Sequence, residues 1–201
     1  MNQSIQSNKL KGKDLISIGI YSAIYFVINF IFMLVSGLHP IIWIFMPAFI
    51  ALFSGIPFML MCAKVEKMGA VLIMGAITAL LYFLTGQFTV IILVTFLIAC
   101  ITSEICRYLS KYKSFTGNTI AFACYSVGMV GSPLPIWIMG DTFFSQIAEQ
   151  GMPSDYVSTL QNFASTDMMI VMIIAPFFIA FVGAFITKKM FKKHFIKAGM
   201  V

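Results

Sequence analysis

Six long apolar runs dominate this chain, and they restrict the folds that it can adopt. The runs are Leu15–Val35, Ile41–Met61, Gly69–Leu84, Phe88–Cys106, Thr119–Met139 and Met168–Thr187. About 17–25 helical residues cross the hydrocarbon core of a bilayer, so every run can form one membrane helix if the third extends inward through residues 66–68. Only 10% of the residues are charged, whereas soluble domains carry about 25%, and the runs lack the alternating pattern of a membrane β-barrel. The sequence therefore predicts an all-α integral membrane protein with six transmembrane helices in one domain, residues 1–201.

All 13 Lys and Arg residues fall on one side of this six-helix arrangement. They lie before run one, between runs two and three, between runs four and five, and after run six. Cytoplasmic loops are enriched in Lys and Arg, so both termini are predicted to be cytoplasmic, with tails at residues 1–14 and 188–201. Topology and contact with anionic lipids then account for the net charge of +6, and no nucleic-acid binding is expected. The predicted location is the bacterial cytoplasmic membrane, as a multi-pass protein.

The long connection before run six, residues 140–167, is acidic. It contains no basic residue, and its carboxylates are Asp141, Glu149, Asp155 and Asp167. Apolar residues recur at helical spacing at Tyr156, Leu160, Phe163 and Ala164, which predicts a short amphipathic helix over the outer face. Loops of this length are uncommon and often serve as lids or binding loops. The alternative is a plain solvated connector.

Motifs of several enzyme and pump classes are missing. The sequence has no GxxxxGK[ST], HExxH, GxSxG or paired-histidine spacing, and its cysteines have no CxxC spacing. Ion-coupled carriers usually place ionisable residues at membrane depth, whereas the charged residues of this chain fall near the ends of the runs. The main polar residue well inside run one is Asn29, for which an interhelical hydrogen bond is expected. We therefore predict no enzymatic activity, no metal and no cofactor. Any transport draws its energy from a partner, unless carbonyl and hydroxyl groups bind Na⁺.

Run five ends in "VGMVGSPLPIWIMGD", which holds five helix breakers: Gly128, Gly131, Pro133, Pro135 and Gly140. Irregular backbone at membrane depth is tolerated only when it is buried in protein or lines a cavity, and discontinuous helices mark many transporter binding sites. A small-molecule site is therefore predicted here, with a proline kink that only shapes packing as the alternative.

The predicted substrate site combines indoles and polar groups at the outer ends of the helices. Its residues are His39, Trp43, Thr85, Gln87, Ser132, Trp137, Asp141 and Asp167. Ligand sites typically have apolar and aromatic walls with a few convergent polar groups. An interfacial aromatic belt is the alternative for both Trp residues, and a plain loop position is the alternative for His39. Because the outer side has no basic residue, we expect a neutral, weakly polar or cationic small ring compound, with Asp141 and Asp167 as hydrogen-bond acceptors.

Pairs of small residues four positions apart form flat helix strips. They are Gly19/Ala23 in run one, Gly75/Ala79 in run three and Ala180/Ala184 in run six. Such strips let another helix approach closely. The first two pairs are predicted either to dock another membrane subunit or to pack inside the bundle.

Several segments carry a resemblance to a known family. They are "KLKGKDLISIGIYSAIYFVINF", "SGIPFMLMCAKVEKMGAVLIMG", "YFLTGQ", "GSPLPIWIMGDTFF" and "KKMFKKHFIKAGMV". The chain resembles the Trep_Strep family, also called the MptD family of S components of energy-coupling factor (ECF) transporters. The resemblance implies six membrane helices with cytoplasmic termini, and capture of a vitamin or similar micronutrient from outside. It also implies association with a transmembrane coupling subunit and two cytoplasmic ATPases.

The resemblance also implies a docking position. S components commonly dock the coupling subunit through an AxxxA-like strip in helix 1, and the matching residues here read Gly19-Ile-Tyr-Ser-Ala23. Glycine replaces the first alanine, which keeps the surface small. Two rival functions stay open: a self-sufficient secondary carrier, and a structural or assembly membrane protein with no ligand.

Overall fold

The computed structural model describes residues 9–86 and 89–197, and these form helices joined by short turns. The α-helices are α1 Gly12–Ser36, α2 Pro40–Phe53, α3 Gly55–Lys64, α4 Ala70–Leu84, α5 Val90–Leu109, α6 Phe115–Ser126, α7 Pro135–Ile138, α8 Asp141–Glu149, α9 Ser154–Phe163, α10 Thr166–Met190 and α11 Lys192–Lys197. A 3₁₀ helix, Val127–Gly131, follows α6. No strand occurs in the described ranges, so the all-α prediction is confirmed.

Within residues 9–86 and 89–197, four helical stretches are long and apolar enough to cross a membrane. They are α1, the nearly continuous pair α2–α3, α5 and α10. Run three forms the shorter α4, with 15 residues, and its expected extension through residues 66–68 is wrong, because these residues form a turn that ends at Gly69 with a φ of 89°. Run five is divided among α6, the 3₁₀ helix and α7. The described parts of all six runs are mainly helical, whereas six membrane helices and the side of the termini stay predictions.

Large apolar side chains cover the outside of the bundle. Ile16 on α1, Leu97 on α5 and Phe178 on α10 are 66%, 56% and 62% exposed, respectively. Such a surface is the reverse of that of a soluble bundle, where apolar faces turn inward. It suits helices whose outer faces contact lipid.

The backbones of α10 and the α2–α3 pair approach closely at two glycines. A Cβ atom added to Gly183 would lie 2.5 Å from the carbonyl oxygen of Leu52, and one added to Gly55 would lie 2.7 Å from the carbonyl carbon of Gly183. Small residues at such crossings let membrane helices pack backbone to backbone. Ala180 and Ala184 on the same helix are fully buried, so this third small-residue pair belongs to the bundle interior.

The basic residues gather at one end of the bundle, which we call the basic end. Lys67, in the turn before α4, pairs with Asp14 at the start of α1 at 2.6 Å. Arg107, near the end of α5, is fully buried and donates from Nη2 to the carbonyl oxygen of Val65 at 2.7 Å. These contacts join three of the loops that the sequence places on one side.

The start of α4 depends on a carboxylate from another helix. Gly69 has a left-handed backbone (φ 89°) and precedes α4. Glu104 of α5 accepts hydrogen bonds from the backbone N–H groups of Gly69 at 2.8 Å and Val71 at 3.2 Å. A helix start leaves N–H groups without intrahelical partners and favours negative charge. Glu104 therefore caps α4 and ties it to α5.

A hydrogen bond links α1 to α4 in the middle of the bundle. The Tyr82 hydroxyl donates to Asn29 Oδ1 at 3.0 Å, and both residues are buried. The interhelical role expected for Asn29 is confirmed. Tyr25, one turn before Asn29 on α1, packs edge-on against Tyr125 of α6, with ring centroids 5.3 Å apart.

Candidate functional site

The helix break after α6, residues 127–134, packs against α5. A Cβ atom added to Gly128 would lie 2.7 Å from Cδ2 of Phe96, and one added to Gly131 would lie 2.7 Å from the Cα atom of Ile92. The Thr95 hydroxyl lies 2.9 Å from the carbonyl oxygen of Gly128, within hydrogen-bonding distance of a group that a regular helix would pair internally. The irregular backbone is thus held by a neighbouring helix, as membrane depth requires.

A cavity of about 350 Å³ lies beside this break, at the end of the bundle opposite the basic end. We call this the far end. Its apolar and aromatic lining consists of Met33, Trp43, Met46, Ile92, Pro135, Phe143, Ile147, Met152 and Tyr156. Its polar lining adds Ser36, Thr89, Ser132 and Gln150, and Gly37 completes the wall. The volume falls at the lower end of the range for small-molecule pockets, about 300–1,000 Å³.

Trp43 connects three parts of the wall. Its indole N–H donates to Ser132 Oγ at 3.3 Å, and its ring lies 5.6 Å from the ring of Phe143, centroid to centroid. These contacts bring together α2, the break and α8. An indole and a benzene ring on adjoining walls offer a flat apolar surface, and the Ser132 hydroxyl adds a polar group that can donate or accept.

Helices α8 and α9 cover the cavity. The Tyr156 hydroxyl of α9 donates to the backbone carbonyl oxygen of Ser36, the last residue of α1, at 2.9 Å. Burial raises the pKa of Tyr156 to about 12, so the hydroxyl keeps its proton at neutral pH and remains a donor. The amphipathic helix predicted in this connection is confirmed as α9, and α8 is a second helix in the same connection; its place over the outer face stays a prediction.

Two of the predicted substrate residues line the cavity, namely Trp43 and Ser132. Trp137 instead donates from its indole N–H to the carbonyl oxygen of Ser165 at 2.9 Å, which ties α7 to the start of α10. His39 is exposed and caps α2, because its Nδ1 accepts from the N–H of Ile41 at 3.2 Å.

The other predicted residues lie elsewhere. The Thr85 hydroxyl is exposed and bonds the carbonyl oxygen of Leu81 at 2.9 Å. Asp141 starts α8 and lines a separate pocket between α8 and α9. Asp167 is exposed in the first turn of α10, and Gln87 lies outside the described residues.

Sequence reasoning missed most of the cavity wall. Met33, Met46 and Ile92 are apolar positions inside long helices, where nothing in the pattern separates a wall from ordinary packing. Phe143 and Tyr156 did carry a signal, because each lies on an amphipathic helix of the acidic connection. The sequence predicts Tyr156 as part of an apolar helix face, without a role in a site.

The cavity wall is electrically neutral. None of its described lining residues is charged, and neither Asp141 nor Asp167 is among them. Burying an unpaired charge is unfavourable, so this lining suits a neutral ligand with a few hydrogen-bonding groups better than a cation.

The two predicted docking strips have different surroundings. A Cβ atom added to Gly19 would meet nothing within 4 Å, and Ala23 is exposed, so this strip of α1 faces outward. Gly75 is buried against Cys100 of α5, and Ala79 is half-buried. Gly75 therefore takes the second of the two roles left open for these strips, packing inside the bundle.

One comparison with known proteins gives a match. The family model described as "Hypothetical bacterial integral membrane protein (Trep_Strep)" matches residues 12–197, which confirms the resemblance to the Trep_Strep family, whereas the role as an S component stays a prediction. Searches of curated proteins and of solved structures found no match. The family match and the apolar helices together identify a multi-pass integral membrane protein.

Proposed function

The chain belongs to the Trep_Strep family of bacterial integral membrane proteins, and we propose that it is the substrate-capturing S component of an ECF-type importer. In this proposal all six runs cross the membrane, both termini are cytoplasmic, and the far end faces outward. The chain has no enzymatic activity of its own. A coupling subunit and two ATPases supply the energy that its sequence has no motif to provide.

The observation that carries the proposal is the covered, uncharged cavity at the far end. It lies opposite the basic end, which the positive-inside rule assigns to the cytoplasm. It therefore opens toward the medium when α8 and α9 move aside. A solute-sized cavity at the outward end suits capture of a scarce solute from the medium.

The proposed substrate is a small, neutral ring compound with one or two hydrogen-bonding groups. Trp43 and Phe143 contact its ring, and Ser132 contacts a polar substituent. A cationic ligand is less favoured than the sequence suggested, since the cavity wall supplies no carboxylate. The same wall supplies no cation for a phosphorylated ligand.

A binding assay on the purified chain tests this assignment. The variant Trp137→Phe leaves Trp43 as the only indole in the sequence, so the fluorescence of this variant reports on the cavity. The compounds to titrate are those that mass spectrometry identifies in the purified protein. We expect Ser132→Ala to weaken binding about fivefold, because it removes a hydrogen bond of about 1 kcal/mol. Asp141→Asn is the matched polar control outside the cavity. Binding that depends on Asp141 but not on Ser132 would contradict the assigned site.

Reconstitution tests the transport role separately. In proteoliposomes, the compound should accumulate only when the coupling subunit, the ATPases and ATP are present. Uptake by the chain alone, driven by an ion gradient, would instead support a secondary carrier.

The outward strip of α1 is the proposed contact with the coupling subunit. Gly19 and Ala23 leave the helix surface flat and uncovered in the described structure. A partner helix can therefore approach α1 closely without displacing any other part of the bundle.

A further inference from the structure

A second cavity lies at the basic end, between α3 and α11. Its volume is about 270 Å³, and it is lined by Leu60, Ala63, Lys64, His194 and Lys197. Two ammonium groups and an imidazole thus share one concave surface with an apolar wall. Both the position and the composition distinguish this cavity from the uncharged one at the far end.

The short helix α11 completes this cavity by folding back after α10. Phe195 is fully buried and packs edge-on against Phe115, with ring centroids 5.5 Å apart. His194 and Lys197 are three positions apart, so they share a helix face, and both line the cavity. The buried Phe195 therefore anchors the helix that carries two of the polar groups.

Among the described residues, no ion pair joins a carboxylate to the cationic groups of this cavity. The one ion pair in this part of the chain joins Lys67 to Asp14, and Glu104 is engaged with the N–H groups of Gly69 and Val71. The neighbouring Glu66 interacts electrostatically with Lys113 and Arg107. Lys64 lies over the ring of Tyr21, with Nζ 5.4 Å from the ring centroid. Lysine beside tyrosine at a helix end is typical of the membrane–water interface.

We propose that this cavity binds an anionic phospholipid. The phosphate contacts Lys64, His194 and Lys197, and an acyl chain lies along Leu60 and Ala63. Basic pockets between helices suit anionic lipid headgroups, and the apolar wall favours a lipid over a soluble phosphate ester. This site is independent of the substrate cavity and of the energy source for transport.

Native mass spectrometry of the full chain tests the proposal. The purified protein is titrated with phosphatidylglycerol and with phosphatidylethanolamine of the same acyl composition. We expect the anionic lipid to bind more tightly. The double variant Lys64→Gln/Lys197→Gln should weaken its binding at least about tenfold, because each basic residue near a lipid surface raises the affinity about fivefold. The double variant Lys192→Gln/Lys193→Gln removes the same charge from α11 at positions outside the cavity, and we expect a change of less than about twofold. Equal losses in both variants, or equal binding of the two lipids, would overturn the site.

A second variant separates the lipid from a free phosphate compound. Ala63→Phe fills the apolar wall without changing charge, and it should weaken phosphatidylglycerol binding. Soluble glycerol phosphate should compete poorly with the lipid in the unmodified protein. Competition as strong as that of the lipid, or lipid binding unaffected by Ala63→Phe, would show that the apolar wall has no part in recognition. Melting temperatures measured without lipid identify any variant whose loss of binding reflects unfolding.

Discussion

Replacing Tyr156 by phenylalanine tests whether α8 and α9 close over the cavity through one defined contact. The Tyr156 hydroxyl donates to the Ser36 carbonyl at 2.9 Å, and the side chain is only 8% exposed. Removing such a hydrogen bond costs about 0.5–1.5 kcal/mol. A loss of about 1 kcal/mol raises the open-to-closed ratio of the lid about fivefold.

Hydrogen–deuterium exchange of the full chain measures this change directly. Amides of α9 should lose about fivefold in protection, whereas those of α5 should keep theirs, because local opening does not require global unfolding. Tyr108→Phe is the control, since Tyr108 is 64% exposed at the basic end. Unchanged protection in α9, or an equal loss in α5, would refute the view that this hydroxyl holds the lid.

The remaining predictions concern pH, packing, capping and docking. The pKa of Tyr156 is about 12 in the closed state and near the ordinary 10.0 in the open state. The closed population should therefore stay constant up to about pH 10 and fall as the pH rises from about 10 through about 12, because only the open state then ionises readily. Distances between spin labels on α1 and α9 would show this, and loss of closure below pH 9 would contradict it. Gly183→Ala should lower the free energy of unfolding by about 1–3 kcal/mol because of the Leu52 carbonyl, whereas Gly19→Ala should change it by less than about 0.5 kcal/mol; equal effects in detergent unfolding would disprove the assigned crossing. Glu104→Ala should cost about 1.5–3 kcal/mol by uncapping α4, with faster exchange confined mainly to its first turn. Gly19→Leu with Ala23→Leu should abolish co-purification with the coupling subunit while leaving ligand binding intact, and retained co-purification would remove the strip from the interface.

The positions of the helices follow from hydrophobicity and charge alone. The described part of each apolar run is mainly helical, because backbone polar groups must be satisfied internally in lipid. The grouping of basic residues predicted which loops meet, and the contacts of Lys67 and Arg107 agree with it. Predicted ends were less accurate, since a cap such as Glu104 on α4 comes from a different helix and leaves no local signal.

The site was predictable only in part, because its wall depends on how separate elements dock. Ser132 and Trp137 are five residues apart in the same broken segment, yet one contacts Trp43 and the other bonds Ser165. Proximity to a helix break in sequence does not determine the direction of a side chain. Asp141 follows Gly140, whose positive φ of 52° begins a new helix, and that turn carries the carboxylate to a different pocket.

The small-residue strips also show that a sequence pattern does not determine which helices pack together. Gly19 and Gly75 both precede an alanine at the fourth position, and both lie in apolar helices. Gly19 is uncovered, whereas Cys100 of α5 fills the space beside Gly75. The pattern predicts that a helix can approach, but the identity of that helix is a property of the packed bundle.

The helix break changes the direction of the side chains that follow it, including Ser132. A 3₁₀ helix has about 3.0 residues per turn against about 3.6 in an α-helix, so each residue turns the chain about 20° further. The five residues Val127–Gly131 therefore rotate the next part of the chain by about 100° relative to an unbroken helix, and lengthen the segment by about 2.5 Å, since each residue rises about 0.5 Å more. The glycines let this tighter backbone lie against α5, and the Thr95 hydroxyl lies close to the Gly128 carbonyl. Ser132 is the residue directly after this 3₁₀ helix, and its hydroxyl accepts a hydrogen bond from the indole N–H of Trp43 at 3.3 Å, so the polar group of the cavity wall lies where the changed helical phase begins.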